Sequence, residues 1–296
     1  MIGLVLSLPA CTSADPIPVP SATEPTRAAT EPTGDGVDKL LVIVAENRNA
    51  ATVVAQMPYL RSQSQSYGTA TNYYAMSHPS LPNYLVMAGG STFGIEDDED
   101  PDLHRLNGQS VFGQLLASGR AAKTYAEAMP GNCALRNDGT YAVRHNPWTY
   151  FADPAERAAC QKFDVPSGSP TAGPLADDIA GGLPSVGLLV PDDCNNGHSC
   201  PIAITDRWLR SWLPTIQNGP DFRSGRLAIV ITWDEDEDNA DNRVATVVIH
   251  PALKGREVTT HLTHNALSAT MSRLGGAPPL RDADQAPDLL AAFGLS

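Results

Sequence analysis

Residues Lys39–Ala45 read KLLVIVA, and this stretch sets the expected fold. The run is apolar after its first residue and contains β-branched side chains, a pattern typical of a strand that is buried on both faces of a parallel sheet. Two further runs of this kind, Val186–Val190 and Arg226–Trp233, follow later in the chain. The sequence therefore predicts a buried sheet whose main strands run parallel.

Oxygen-bearing side chains follow two of these strands directly. Glu46 and Asn47 follow the first, and Asp234 and Glu235 follow the last. Parallel strands bring such ends to one edge of a sheet, where α/β proteins bind ligands. Acids gathered there repel one another unless a cation lies between them. A polar loop cap at Glu46 and Asn47 is the alternative, and the acids Asp236–Asp241 fit a solvated loop.

A serine enclosed by prolines is the candidate nucleophile. The segment Ser77–Ile95 reads SHPSLPNYLVMAGGSTFGI, with Ser80 between Pro79 and Pro82. Proline fixes φ and lacks an N–H, so the pattern predicts a rigid turn that leads into a short helix. A serine at such a helix start suits nucleophilic chemistry, because helix N–H groups favour an anion there. On this segment alone, a helix N-cap is the favoured interpretation.

Composition and the first residues bear on compartment and domain organisation. The chain has 296 residues, 42% of them hydrophobic, and a net charge of −13, which argues against nucleic acid as a partner. Residues 1–11 (MIGLVLSLPAC) resemble a signal with a lipobox, so Cys11 is a candidate for lipidation. Residues 12–37 are rich in Pro, Ala and Thr and predict a flexible tether. We expect residues 38–296 to form a single catalytic domain.

Four cysteines besides Cys11 form an even set in a chain predicted to be exported. Two disulfides are the natural interpretation, and sequence order favours Cys133 with Cys160 and Cys194 with Cys200, although three pairings are possible. A zinc site is the alternative. The spacing contains no CxxC pair, which makes zinc the weaker hypothesis.

Seven phrases of the sequence occur in a fixed order, namely VAENRN, ATNYYAMSHPSLPNYLVMAGGSTFG, YAEAMPGNC, YAVRHNPWTYF, VPDD…GH…TDRWL, ITWDEDED and THNALSATM. Together they resemble the bacterial phosphoesterase family, which includes secreted acid phosphatases and phosphocholine-type phospholipases C. The similarity extends over roughly Leu40–Gly275 and is strongest to the mycobacterial secreted acid phosphatases. It implies an alkaline-phosphatase-like α/β sandwich, with a central, mostly parallel sheet and helices on both faces.

The resemblance also implies site residues. Ser80 corresponds to the phosphorylated nucleophile of the family. The implied metal ligands are Glu46, Asn47, Ser80, Asp234 and Glu235. The residues implied or expected around the phosphoryl group are His145, His198, His264, Asp206 and Arg144. The chain departs from the family at the loop of His198, where the neighbouring acids of the pattern N-D-x-H-D-G are missing. The orienting partner of His198 is therefore open.

The chemistry of these residues agrees with the resemblance. A cation on Ser80 Oγ would favour the alkoxide, and the oxygen ligand set suits one divalent Ca²⁺, Mg²⁺ or Mn²⁺ better than zinc. We expect an exported phosphomonoesterase that acts through a phosphoseryl intermediate on small phosphate esters, with phosphorylated lipid head groups as a further substrate class. It would contact a membrane only through a lipid anchor at Cys11. The alternatives are a phospholipase C-type phosphodiesterase and a cation-binding surface lipoprotein without turnover.

Overall fold

A computed structural model describes residues 1–3, 36–238 and 241–295. The predicted leader and tether, including Cys11, fall almost wholly outside these residues. The predicted catalytic domain, 38–296, contains every helix and strand of the described residues. Of the helices that the structure describes, none combines the length and apolarity needed to cross a bilayer.

The described strands form one large sheet and one small one. The large sheet has eight strands in the order β5-β4-β6-β1-β7-β8-β2-β9. All neighbours in it pair in parallel except β8, which is antiparallel to β7 and to β2. The small sheet pairs β10 with β3. The strands are Lys39–Ala45 (β1), Gly68–Ala70 (β2), Tyr73–Tyr74 (β3), Ala122–Ala126 (β4), Asp164–Pro166 (β5), Val186–Val190 (β6), Leu227–Trp233 (β7), Thr246–Ile249 (β8), Arg256–Val258 (β9) and Leu262–Thr263 (β10).

The helices of the described residues fall into two groups, and each group packs mainly within itself. Helices α1, α2, α6, α7 and α8 form one group, and α3, α4, α5, α9 and α10 form the other. The helices are Ala50–Gln56 (α1), Pro58–Ser66 (α2), Ser80–Gly89 (α3), Val111–Ala117 (α4), Pro154–Phe163 (α5), Pro174–Gly181 (α6), Ile202–Asn218 (α7), Pro220–Arg223 (α8), His264–Leu274 (α9) and Leu289–Ala292 (α10). A mostly parallel sheet with two helix layers confirms the predicted α/β fold.

The register of the central strands determines where the site lies. Strands β1 and β7 pair in parallel along their whole length, so that Ala45 lies opposite Trp233. Their residues are buried apart from Lys39, as the apolar runs predict. Glu46 and Asp234 therefore leave neighbouring strands at the same edge. The Asp234 N–H donates to the carbonyl of Ala45 at 2.9 Å. This bond holds the carboxyl ends of the two strands together.

The bounds of three elements differ from those that the sequence predicts. The helical spacing of apolar residues over 51–66 predicts one helix, but the chain forms two, α1 and α2, because Pro58 lacks an N–H and occupies the first position of a new helix. Residues 69–76 (TATNYYAM) predict one strand, and the chain forms two short strands, β2 and β3. The sequence predicts a helix over 259–274, which begins only at His264, because Leu262–Thr263 pairs with β3 instead.

Candidate active site

Ser80 is the first residue of α3, and Pro79 is its N-cap. The Ser80 side chain therefore does not cap the helix, which removes the alternative that the segment alone had favoured. The residue is 2% exposed. Its Oγ–H faces two carboxylates and can donate to Glu46 Oε2 at 3.0 Å or to Glu235 Oε1 at 3.4 Å. The structure thus brings the predicted nucleophile to the predicted ligands.

The predicted metal ligands converge at this edge of the sheet. Glu46, Asp234 and Glu235 are buried, and the Asn47 N–H donates to Asp234 Oδ1 at 3.1 Å. Two buried oxygens of the group, Asn47 Oδ1 and Asp234 Oδ2, have no hydrogen-bond donor. A buried acceptor without a partner costs about 1–3 kcal/mol. A divalent cation with oxygen ligands would satisfy both atoms, so the residues fit the implied ion.

The electrostatics of these acids point the same way. Burial raises the pKa of Glu46, Asp234 and Glu235 above the ordinary values, and the charge of Asp234 raises the pKa of the two glutamates further. Without a counter-charge, the three carboxyls therefore resist ionising together. Their oxygens do not all lie within 4.8 Å of one another in the described structure. The oxygens of Asn47 and Ser80 would help to complete a coordination shell.

Two side chains of α3 that follow Ser80 support the site. The Tyr84 hydroxyl donates a short hydrogen bond to Glu46 Oε1. Asn83 Oδ1 accepts from the N–H groups of Met76 and Ser77, and its amide lies 3.4 Å from Glu235 Oε2. Neither residue is among the predicted site residues, although both lie in the segment SLPNY. Asn83 fixes the turn before Ser80, and Tyr84 orients Glu46.

Arg144, His145 and His198 lie beside this group, as expected. His145 Nε2 is 3.3 Å from Glu46 Oε2, and its ring stacks on Tyr84 with centroids 5.3 Å apart. The rings of His145 and His198 are 6.1 Å apart. Arg144 Nη2 donates to His198 Nε2 at 3.4 Å. These three residues extend the site from the sheet edge toward solvent.

Both of these histidines favour the neutral form. Burial lowers the pKa of His145 well below its usual range, and the charge of Arg144 adds to that effect. Burial also lowers the pKa of His198, again with Arg144 contributing. A guanidinium has no acceptor, so the His198 nitrogen that faces it is the lone-pair nitrogen. Protonation of His198 would break this contact, so Arg144 adds to the lowering of the pKa that burial causes.

The loop after β6 carries an acid that contacts the neighbours of His198. Asp193 Oδ1 lies 3.5 Å from His145 Nδ1 and 3.6 Å from Arg144 Nη2.

His198 itself is held by other residues of this loop. Asn196 Oδ1 accepts from the backbone N–H of His198 at 2.8 Å, and His198 Nδ1 lies 3.2 Å from Ser199 Oγ. Gly197, at φ +99, allows the chain to turn between Asn196 and His198, a conformation that L side chains rarely adopt. The loop therefore holds the backbone of His198 through Asn196 and its ring through Ser199.

Two predicted site residues lie outside this cluster, which corrects the expected roles. His264 is fully buried, and its Nε2–H donates to the backbone carbonyl of Asp234 at 2.7 Å. Its Nδ1 then accepts from the Tyr73 hydroxyl at 3.1 Å. Both nitrogens are thus occupied, so His264 positions Asp234. Asp206 accepts from the N–H groups of Tyr59 and Leu60 and caps α2.

His78, which is not among the predicted site residues, also contacts the acids of the site. His78 Nδ1 lies 2.9 Å from Glu235 Oε2, and Nε2 lies 3.3 Å from Asp236 Oδ1. Its position two residues before Ser80 was the available signal. His78 connects the serine turn with the acidic loop that follows β7.

The structure confirms both predicted disulfides, Cys133–Cys160 and Cys194–Cys200. The second closes the loop that carries His198. The described residues contain one compact group of three potential metal-binding side chains from His, Cys, Asp and Glu, namely Cys133, Cys160 and Asp164. Both of its sulfurs belong to a disulfide, so this group offers no thiolate to zinc.

Comparisons with known proteins identify a family, relatives in sequence and a similar fold. The model of the Phosphoesterase family matches residues 38–270. A phosphatidylinositol-3-phosphatase from Mycobacterium tuberculosis is 26% identical over 263 residues, which are 86% of this chain and 82% of that protein. An acid phosphatase from Aspergillus fumigatus is 29% identical over 71% of this chain, which spans 48% of the fungal protein. A solved protein of the alkaline phosphatase superfamily from Vibrio parahaemolyticus superposes with a TM-score of 0.56 at 13% identity, covering 83% of this chain and 70% of that one.

Proposed function

The chain belongs to the Phosphoesterase family and is a phosphoric ester hydrolase, and on this premise we propose that it is an exported, metal-dependent phosphomonoesterase whose nucleophile is Ser80. The observation that carries the proposal is the surrounding of Ser80 Oγ. It lies buried at a helix start, within 3.4 Å of the carboxylates of Glu46 and Glu235.

The residues divide the reaction between them. Ser80 Oγ gives its proton to the carboxylate of Glu46 that it faces at 3.0 Å, attacks phosphorus and forms the phosphoseryl ester, while the bond from phosphorus to the substrate's ester oxygen breaks. His198 gives the departing oxygen its proton. Arg144 offsets negative charge on the phosphoryl oxygens in the transition state. Water then gives a proton to the neutral His198 and attacks the phosphoserine, phosphate is released, and the proton held by Glu46 restores the Ser80 hydroxyl.

The proposed ion would be held by Glu46, Asn47, Ser80, Asp234 and Glu235. When bound, a divalent cation acts as a Lewis acid that favours the ionised form of the serine and offsets phosphoryl charge. All of these donors are oxygens, which suits Ca²⁺, Mg²⁺ or Mn²⁺ better than zinc. The two buried acceptors without donors, Asn47 Oδ1 and Asp234 Oδ2, support this choice.

Compartment and substrate class follow from the covalent structure and the relatives. Two disulfides suit an oxidising compartment, which supports export. The names of the similar proteins, acid phosphatase and phosphatidylinositol-3-phosphatase, support small phosphate monoesters as substrates. They also support phosphorylated lipid head groups as a second substrate class.

The proposal is tested with p-nitrophenyl phosphate and the purified chain in the presence of a divalent ion. We expect Ser80→Ala to lower kcat by about 10⁴–10⁶, the usual effect of losing a nucleophile. Ser77→Ala is the matched control, because Ser77 Oγ only donates to the carbonyl of His78 on the same turn. The control should retain activity of the wild-type order. A Ser80→Ala enzyme with a tenth of wild-type kcat would remove the nucleophile from the proposal.

A further inference from the structure

One residue of the acidic segment Glu96–Asp102, Asp98, contacts α3, the helix that begins with Ser80. Asp98 Oδ1 accepts a hydrogen bond from the N–H of Leu81 at 2.8 Å. Leu81 directly follows Ser80 in the first turn of α3. Pro79 and Pro82 have no N–H, so the N–H of Leu81 is one of few donors at this helix end. Asp98 therefore accepts from one of the few N–H groups that could bind an anion beside Ser80.

The second carboxylate oxygen of Asp98 faces the guanidinium of Arg144. Asp98 Oδ2 lies 3.8 Å from Nε of Arg144, the residue that also donates to His198. The charge of Asp98 contributes to the raised pKa of Glu235 and opposes the lowering of the pKa of His198. The Asp98 carboxylate thus lies between a helix N-terminus and an arginine, two groups that commonly bind phosphoryl oxygens in proteins.

The other acids of the segment have different surroundings. Asp97 pairs with His104, and Asp102 pairs with Arg105 and Arg136. Asp98 alone among the acids of this segment has contacts to α3 and to Arg144 in the described structure. Its side chain is 35% exposed, so it can turn into water without leaving a buried charge behind.

We propose that Asp98 holds the anion position beside Ser80 in the free enzyme, competes there with the phosphoryl group and leaves the position when a phosphoryl group binds. This inference rests on the proposed function, because it assigns Leu81 N–H and Arg144 to the phosphoryl group. Two anions cannot share these donors without repulsion. Each phosphate ligand, including the product, must displace the Asp98 carboxylate from these donors. This displacement weakens phosphate binding and thereby favours product release.

Binding of inorganic phosphate to the full chain, measured by isothermal titration calorimetry with saturating Mg²⁺, tests the proposal. We expect Asp98→Asn to bind phosphate about tenfold more tightly than wild type, because the amide removes the negative charge and keeps an acceptor for Leu81. Asp98→Ala, which vacates the position, should bind at least as tightly as Asp98→Asn. The gain should shrink at high ionic strength.

Glu96→Gln is the matched control, since Glu96 is an exposed acid of the same segment and the same charge is removed. Its phosphate affinity should stay at the wild-type value. Unchanged or weaker binding in both Asp98 variants, with melting temperatures near wild type, would overturn the proposal. An equal gain in the Glu96 control would also overturn it, because net charge alone would then explain the effect.

The readout separates this inference from the proposed function. Calorimetry needs no turnover, so phosphate affinities can be compared even if the chain hydrolyses no ester. A chain that hydrolyses p-nitrophenyl phosphate through Ser80 while Asp98 has no influence on phosphate affinity would retain the function and lose this inference. Tighter phosphate binding by the Asp98 variants in a chain that hydrolyses no ester would support this inference and contradict the proposed function.

Discussion

At the scale of single residues, the two histidines of the site differ in their access to solvent. The His145 side chain is 2% exposed and is enclosed by Glu46, Asp193 and the ring of Tyr84. The His198 side chain reaches solvent although it is partly buried, and it contacts the guanidinium of Arg144 rather than a carboxylate. A group that gives a proton to a leaving alkoxide must exchange protons with water between turnovers. His198 meets this requirement better than His145.

The lowered pKa of His198 leads to a prediction about pH. A general acid works only while protonated, so activity that depends on it is lost as pH rises through its pKa. Burial and Arg144 hold that pKa below the ordinary value of about 6.5. We therefore expect the alkaline limb of the kcat profile for an alkyl phosphate to fall below pH 6.5. The measurement is kcat from about pH 4 to 9 at saturating metal and substrate.

His198→Ala supplies the control for this assignment. It should remove the alkaline limb and lower kcat for the alkyl ester by about 10²–10⁴. The loss should be smaller for p-nitrophenyl phosphate, whose leaving group needs little help from an acid. Equal losses for both esters would contradict the assignment, as would an alkaline limb that persists in the variant.

At the scale of secondary structure, Asp206 belongs to helix packing. Helix α2 begins after Met57, which has no side-chain acceptor for the free N–H groups of the first turn. Asp206, on α7, accepts from the two N–H groups that a capping side chain would bond, those of Tyr59 and Leu60. The cap of α2 thus comes from a neighbouring helix and joins the two elements.

We expect Asp206→Ala to lower the free energy of unfolding by about 1–2 kcal/mol, the typical cost of losing a helix cap. Urea unfolding checks the value. Asp206→Asn retains one acceptor and should lose less. Because no substrate-facing atom is changed, kcat should remain near wild type in both variants. A hundredfold loss of kcat at unchanged stability would return Asp206 to the catalytic group.

The two disulfides should act on different properties. Cys133–Cys160 spans a separation of 27 residues and Cys194–Cys200 one of 6. Loop-closure entropy predicts that replacing both cysteines by serine costs about 3.6 kcal/mol for the longer loop and about 2.2 kcal/mol for the shorter. The shorter loop carries His198, so its loss should also lower kcat by more than about tenfold.

Each double variant serves as the control for the other. Unfolding in urea gives the stability, and kcat is measured on the folded fraction. If the variant without Cys194–Cys200 keeps full kcat, the disulfide does not hold His198 in place. If the variant without Cys133–Cys160 loses kcat more strongly, the longer loop rather than the shorter one positions the site.

The sequence predicts long buried elements better than short or context-dependent ones. Strand β1 appears with the predicted bounds, and β7 differs by one residue, because continuous apolar runs leave few alternatives. Strands such as Arg256–Val258 carry no apolar pattern and exist only because β2 offers a partner. The same applies to side chains. Ser80 is marked by its prolines, whereas the turn of His264 toward Asp234 depends on packing that no local pattern records.

At the scale of the whole molecule, the site is assembled from distant parts of the chain. Its acids follow β1 and β7, the proposed nucleophile Ser80 begins α3, and His198 belongs to the loop after β6. These elements meet only at one edge of the folded sheet. Three buried carboxyls at that edge destabilise the protein unless a cation offsets their charge, because burial and mutual repulsion disfavour their charged forms. Metal binding should therefore stabilise the entire fold.

Metal-linked stability gives a prediction that needs no substrate. An ion at 100 times its Kd adds about 2.7 kcal/mol to the free energy of unfolding. For a domain of this size that corresponds to a rise in Tm of about 5–10 °C, measured by calorimetry after chelator treatment and again after addition of Mg²⁺ or Mn²⁺. Asp234→Asn should lose most of this rise, because it removes a ligand charge at the centre of the site. Asp206→Asn removes a buried carboxylate that caps α2 and should keep the rise. An unchanged Tm for the wild type under both conditions would contradict a resident cation, and a rise retained in Asp234→Asn would move the ion to another part of the chain.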